Sequence, residues 1–380
     1  MKPSSTTGRR DAQLRLPFRI DVHERARVVA QATAFLAEGP VTVTASRCDR
    51  SAGGLHDYYS EGDYWWPDPE NPGGPFVRRD GLSYPDVFSD HRRAMRRLSI
   101  QSAALAAAHR ITGEERFAKH TERHLHAWFV NPGTSMTPHL LYGQAISGIT
   151  TGRCIGLVDT VHLIEVALAA RHLDRAGALS PATAAGVRAW FRALMDWMMN
   201  DPMGIEERDH GNNHSTCWAA QVAAFALFLG DEAVLAGCRE RFRFLLIDQM
   251  APDGSFPLEL ARTRPYNYSL FNIELMGSLC HLASSAEESL WDFEAADGRS
   301  TRLAFEFVMP YILDKASWTY GEDVAYWEDF PIRNVATFLA ALAYGRADWL
   351  EHWKTLPSDP TEDEVVRNMP MRQPVLWVGE

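Results

Sequence analysis

Lysine is almost absent from this chain: 4 lysines stand against 34 arginines in 380 residues, and the formal net charge is −11. A negative balance of that size excludes a surface that coats nucleic acid or other polyanions generally. No nucleic-acid partner is expected, and an anionic ligand must be met by local arginines. Cysteine pairing is missing too. Cys48, Cys154, Cys217, Cys238 and Cys280 are odd in number, widely spread and without CxxC spacing. That pattern argues against a disulfide framework or a thiolate zinc site and for buried free thiols. No apolar run reaches the roughly 18 residues of a bilayer span, so no membrane partner is expected. Met1 to Arg10 is Ser/Thr-rich and basic with no apolar stretch behind it, so no secretory signal is visible, and the compartment stays open. His210 and His214 are four apart, but Gly211 and the two asparagines between them disfavour a helix that would align two metal ligands. No metal or other cofactor is expected.

What is present is a large apolar supply, 46% hydrophobic against 23% charged residues, enough for a sizeable core. Residues 1–17 read as a disordered lead and 18–380 as a single domain. Apolar residues recur at helical spacing over 24–36, 90–110, 114–130, 157–176, 181–199, 216–229, 231–249, 269–284, 299–314 and 333–345. Breaks fall at Asn131-Pro-Gly133, Asn200-Asp-Pro202 and Pro252-Asp-Gly254, and Ser180-Pro181 reads as a helix start. Little strand signal appears beyond Val41 to Ala45. The pattern predicts an all-α chain of antiparallel helix pairs. Without a fixed-period repeat, an (α/α) toroid is preferred to a solenoid.

Three loops and two helix starts carry the polar chemistry. Tyr58 to Trp66 holds five aromatics in nine residues and runs into a stretch rich in proline and glycine. Tyr64, Trp65 and Trp66 there are candidates for stacking on flat sugar faces, although such a loop can also tuck its aromatics under itself. Tyr142 to Asp159 is glycine-rich, which permits close backbone approach, and carries Arg153. Trp318 to Pro331 is again aromatic and acidic, with Trp327 as a further platform.

The helix starts are His210-Gly-Asn-Asn-His-Ser-Thr-Cys-Trp218 and Glu259-Leu-Ala-Arg-Thr-Arg-Pro-Tyr-Asn-Tyr-Ser-Leu-Phe-Asn272. Together they supply the groups needed to cleave a uronic acid polymer by β-elimination. The C5 proton is weakly acidic until the neighbouring carboxylate is neutralised, a base must take it, and the O4 leaving group must be protonated. Asn213 with Arg262 or Arg264 suits the first task, since guanidinium binds carboxylate in a fixed fork. His214 and Tyr268 suit the others. Where H5 and O4 leave from one side, as in mannuronate and glucuronate, Tyr268 alone can take and return the proton. Guluronate needs His214 as base and Tyr268 as acid. Asn212, His210, Glu259, Arg264 and Tyr266 are the surrounding candidates for substrate binding. Each member also has an ordinary structural explanation, and it is the constellation that points to chemistry.

These motifs, with Tyr59-Ser-Glu-Gly-Asp-Tyr-Trp-Trp-Pro-Asp-Pro69 and Gly152-Arg-Cys-Ile-Gly-Leu-Val-Asp-Thr160, resemble the alginate-lyase superfamily of polysaccharide lyases from about Asp57 to Asn272. The resemblance implies an α/α toroid, metal-independent β-elimination and a usually periplasmic or secreted enzyme. It also implies Asn213, His214 and Tyr268 in the family's Asn, His and Tyr roles, with Arg262 or Arg264 as the arginine. Glucuronan and alginate both fit as the anionic polysaccharide partner. Two other activities compete: a glycoside hydrolase using paired carboxylates among Asp63, Asp159, Glu259, Glu322 and Asp323, and a non-catalytic carbohydrate binder using Trp65, Trp66 and Trp327.

Overall fold

Fifteen α-helices account for half of the computed structural model, which describes residues 13–379. In chain order they are α1 (Ile20–His23), α2 (Arg25–Phe35), α3 (Asp90–Thr112), α4 (Glu115–Phe129), α5 (Leu163–Arg175), α6 (Pro181–Asn200), α7 (Pro202–Arg208) and α8 (Asn213–Leu229). There follow α9 (Glu232–Phe244), α10 (Pro257–Leu260), α11 (Pro265–Ala283), α12 (Thr301–Leu313), α13 (Val335–Tyr344), α14 (Ala347–Thr355) and α15 (Asp363–Arg367). The described residues form two compact units, one of 25–210 and the other of the N-terminal segment to Glu24 with 211 onward.

In the first unit α3 packs against α2, α4 and α5, and it is buried along most of its length. Its last turn closes on Gly113, whose φ of 73° is the left-handed conformation favoured at a helix C-terminus. Four short strands belong to this unit: β1 (Tyr59–Glu61), β2 (Trp65–Trp66), β3 (Val77–Arg78) and β4 (Tyr142–Ala145). β1 pairs in parallel with β4, Tyr59 opposite Tyr142, and β2 pairs antiparallel with β3, Trp65 opposite Arg78. The expected close approach in the glycine-rich loop is present. A Cβ on Gly156 would lie 2.7 Å from the backbone of Gly143, and one on Gly152 would lie 2.0 Å from the Leu141 carbonyl oxygen. Only glycine fits there.

In the second unit α11 is buried on every face and packs on α8, α13 and α12. A helix apolar all round belongs in a core. Glu274 in its middle caps a neighbour, its two carboxylate oxygens accepting from the Val335 and Ala336 amides at the start of α13 at 3.1 and 2.9 Å.

The structure departs from the sequence expectations mainly at helix starts. α8 begins at Asn213 rather than 216, because the Asn212 side chain accepts from the His214 amide and caps it. α11 begins at Pro265 rather than 269. The stretch 157–176 opens as a 3₁₀ helix (Cys154–His162) before α5, and 231–249 ends in another (Leu246–Gln249). Val43–Ala45 is a 3₁₀ turn, not a strand. Of the expected disordered lead, residues 1–12 lie outside the described residues, while Arg15 and Leu16 donate backbone hydrogen bonds to the Leu342 carbonyl. All five cysteines are free and buried. Among the described residues no helix is long and apolar enough to cross a membrane.

Candidate active site

The start of α8 and the turn from α10 into α11 meet at one buried carboxylate. Glu259, 1% exposed, accepts from the Asn213 backbone amide at 2.8 Å and from Asn213 Nδ2 at 2.7 Å. A bidentate grip of this kind fixes the orientation of the amide. Burial raises the Glu259 pKa, while the two Asn213 bonds and the nearby Arg262 and His214 pull against it. Asn213, His214, Glu259 and Arg262 therefore share one electrostatic neighbourhood. Glu259, expected as a substrate contact, is buried here and supports Asn213.

Arg262 follows one turn later. Its Nη2 donates to the Tyr268 hydroxyl at 2.9 Å, and its guanidinium carbon lies 4.0 Å from the centre of the Tyr268 ring. A guanidinium held at a phenol oxygen meets negative charge as it develops on that oxygen. Arg264 behaves differently. It is 1% exposed and donates to Glu364 at 2.8 Å, packed against the rings of Tyr268 and Tyr326. The two arginines left open by the sequence thus separate: Arg262 is half-buried and on the tyrosine, Arg264 is a buried ion pair.

Tyr266, an expected substrate contact, is wholly buried. Its hydroxyl donates to the Tyr311 carbonyl at 3.0 Å and its ring packs edge-on against Trp318 and Trp327. Trp327 is half-buried, with the Lys315 ammonium 3.8 Å from its ring centre. Asp323 accepts from the Tyr266 and Asn267 amides at 2.9 and 3.0 Å, and burial pushes its pKa up to about 6. This carboxylate supplies the cap that starts α11 early. The Val324 amide donates to the Thr263 carbonyl at 3.1 Å, which ties the 318–331 loop to the Arg262–Arg264 segment.

The remaining candidates lie in the other unit. Trp65 and Trp66 are half-buried in the β2–β3 hairpin. Trp66 donates to the Leu82 carbonyl and stacks with Tyr84, with Arg79 over its ring. Tyr64 is half-buried beside them, its carbonyl bonded to the Arg79 amide. Arg153 is held by Gln144, donating to its backbone and side-chain oxygens at 3.0 and 2.9 Å, 5.9 Å from the Trp65 ring. Burial, with Arg78 nearby, lowers its pKa to about 10.

Behind this loop lies a network that sequence reasoning missed. Arg92 is buried between Asp63 at 2.5 Å and Asp159 at 3.2 Å, and Asp159 also accepts from Tyr58, Ser60 and Gln144. Asp63 and Asp159 were visible as carboxylates, but nothing local marked Arg92 as their partner. His210 lies 3.6 Å from the Cys154 sulfur and 3.9 Å from Glu207, contacts that the His210–Asn213 motif did not suggest. The carboxylates a hydrolase would need are largely committed: Asp63 and Asp159 to Arg92, Glu259 to Asn213, Asp323 to helix amides.

An α-helical scaffold that gathers asparagine, histidine, arginine and tyrosine at two helix starts has the composition of a lyase site. The Alginate lyase family matches residues 42–318, and the chain belongs to that family. It is a polysaccharide lyase. An alginate lyase structure from Bacteroides ovatus is 28% identical, with a TM-score of 0.80, covering 96% of this chain and 98% of that one. A histidine-to-alanine variant of alginate lyase A1-III complexed with tetrasaccharide is 15% identical, with a TM-score of 0.55 over 93% of this chain and 94% of that one. A tyrosine-to-phenylalanine variant of the same lyase, also complexed with tetrasaccharide, gives the same figures. These structures are α/α toroids, the fold class expected from the sequence. No curated protein matches the chain.

Proposed function

We propose that the substrate is a β-1,4-linked polyuronate, glucuronan or polymannuronate, cleaved by syn β-elimination with Tyr268 as both base and acid. The observation that carries this is the Arg262–Tyr268 hydrogen bond of 2.9 Å beside the Asn213–Glu259 pair. Asn213 carries two Nδ2 hydrogens; one is spent on Glu259, and the other is the donor offered to the C5 carboxylate. Arg262 adds positive charge, and His214, next to Asn213 in the chain, is a second candidate neutraliser. With the carboxylate neutralised, the Tyr268 oxygen takes the C5 proton. The electron pair forms the C4–C5 double bond, the C4–O4 bond breaks, and O4 leaves with the proton returned from Tyr268. Charge on the phenolate is met throughout by Arg262.

One residue doing both transfers requires H5 and O4 on the same face, which favours glucuronate and mannuronate over guluronate. The family match spans parts of both compact units, and this supports residues 18–380 working as one catalytic domain. The test is absorbance of the unsaturated uronate on glucuronan, polymannuronate and polyguluronate in parallel, with reducing ends counted alongside. Rising absorbance on one of the first two is expected. Activity confined to polyguluronate would remove the single-residue mechanism, and reducing ends without absorbance would remove elimination.

A further inference from the structure

Three residues of the first compact unit that take no part in the elimination chemistry converge on one point. Cys154 opens the 3₁₀ helix Cys154–His162, Glu207 lies in the last turn of α7, and His210 stands two residues beyond that helix. Their ligand atoms all lie within 4.8 Å of one another. Cys154 Sγ to His210 Nε2 is 3.6 Å, and His210 Nε2 to Glu207 Oε2 is 3.9 Å. Zinc–sulfur and zinc–nitrogen bonds of about 2.3 and 2.0 Å at a tetrahedral angle separate S from N by about 3.5 Å. Cys154 and Glu207 are buried, whereas the His210 side chain is 36% exposed, so the cluster is closed on two sides and reachable from the third.

We propose that Cys154, Glu207 and His210 bind one divalent metal ion of the zinc class, with water in the fourth position. One sulfur, one imidazole nitrogen and one carboxylate oxygen suit a borderline-soft ion, while calcium and magnesium take oxygen ligands and would leave the thiol unused. Because thiolate and not thiol is the ligand, a bound divalent cation displaces the Cys154 proton to solvent. The bound ion ties the start of the 3₁₀ helix to the end of α7, elements already in contact. The site is independent of the lyase mechanism and concerns stability rather than turnover.

The full chain, stripped with a chelator and dialysed, is titrated with cobalt(II) alone and then with zinc(II). The expected result is one cobalt per chain with a thiolate-to-cobalt charge-transfer band, its displacement by zinc, a rise in Tm, and release of a proton to buffer. Cys154→Ser removes the band and weakens binding by about tenfold or more. Glu207→Gln and His210→Ala weaken it with the band retained, circular dichroism reporting that each variant is folded. A measurement that needs no variant is alkylation followed by mass mapping, in which zinc protects Cys154. Absence of uptake, uptake without a sulfur band, unchanged affinity in folded Cys154→Ser, or zinc failing to protect Cys154 overturns the proposal.

Discussion

The two compact units use arginine in opposite ways. In the first, Arg92 is sealed between Asp63 and Asp159, with Tyr58, Ser60 and Gln144 completing the shell around Asp159. Two carboxylates there share one guanidinium, and the network holds the aromatic loop against its helix. In the second, Arg262 lands on a phenol instead of a carboxylate, and the carboxylate beside it, Glu259, is taken by an amide. In the proposed mechanism that guanidinium faces the charge that develops during elimination. The difference is between an arginine whose shortest bond is to a phenol and one locked between carboxylates, and the proposed mechanism uses the first. Arg264, two residues away and paired with Glu364, belongs with Arg92 in kind although it shares a turn with Arg262.

Breaking that contrast should give effects of different kinds and sizes. Arg262→Ala is expected to lower kcat about 10²- to 10³-fold with the melting temperature nearly unchanged, because it removes charge stabilisation from the transition state only. Steady-state kinetics alongside thermal melts check it. Arg264→Met should do the reverse. Taking one partner from a buried pair costs roughly 3 kcal/mol, read as a lower denaturation midpoint, with kcat in the surviving folded fraction little changed. Arg92→Leu should cost at least as much, since it strands two buried carboxylates.

A smaller effect concerns pH. The folded pKa of Asp323, pushed up by burial from 3.8 to about 6, lies above its unfolded value, so the folded state holds more protons between the two. The stability from this group is therefore fully present below about pH 3.8 and is lost as pH rises through about 6. Asp323→Asn should flatten the melting temperature across that window; an unchanged slope would assign the dependence elsewhere. The smallest expected effect is Trp65→Ala, a rise in KM of about tenfold or less with kcat retained, if this ring contacts a sugar away from the scissile bond.

Much of the fold was legible because helices that bury one face must repeat every three to four residues. The failures cluster where a cap comes from far away in the chain. α11 starts four residues before its apolar pattern, held by Asp323, 56 and 57 residues downstream. The candidate set was legible as a constellation, since Asn213, His214, Arg262 and Tyr268 stand in two short motifs. The different surroundings of Arg262 and Arg264 were not, because Glu364, which pairs with Arg264, lies 100 residues on. Tyr266 and Tyr268 look alike in sequence. The aromatic wall of Trp318 and Trp327 buries the first, and Arg262 holds the second. The five cysteines read correctly as unpaired thiols, but the carboxylate and imidazole gathered at Cys154 came from a helix end that spacing could not place.

The central claim is that Tyr268 moves the proton while Asn213 and Arg262 hold the charge. It is tested most directly by comparing Tyr268→Phe with the wild-type chain on its preferred polymer, measuring unsaturated-end formation and oligosaccharide binding in parallel. The account predicts a fall in kcat of about 10³-fold or more, with the binding constant changed only a few-fold, since the ring stays and only the hydroxyl is lost. Turnover near the wild-type rate in Tyr268→Phe would contradict it.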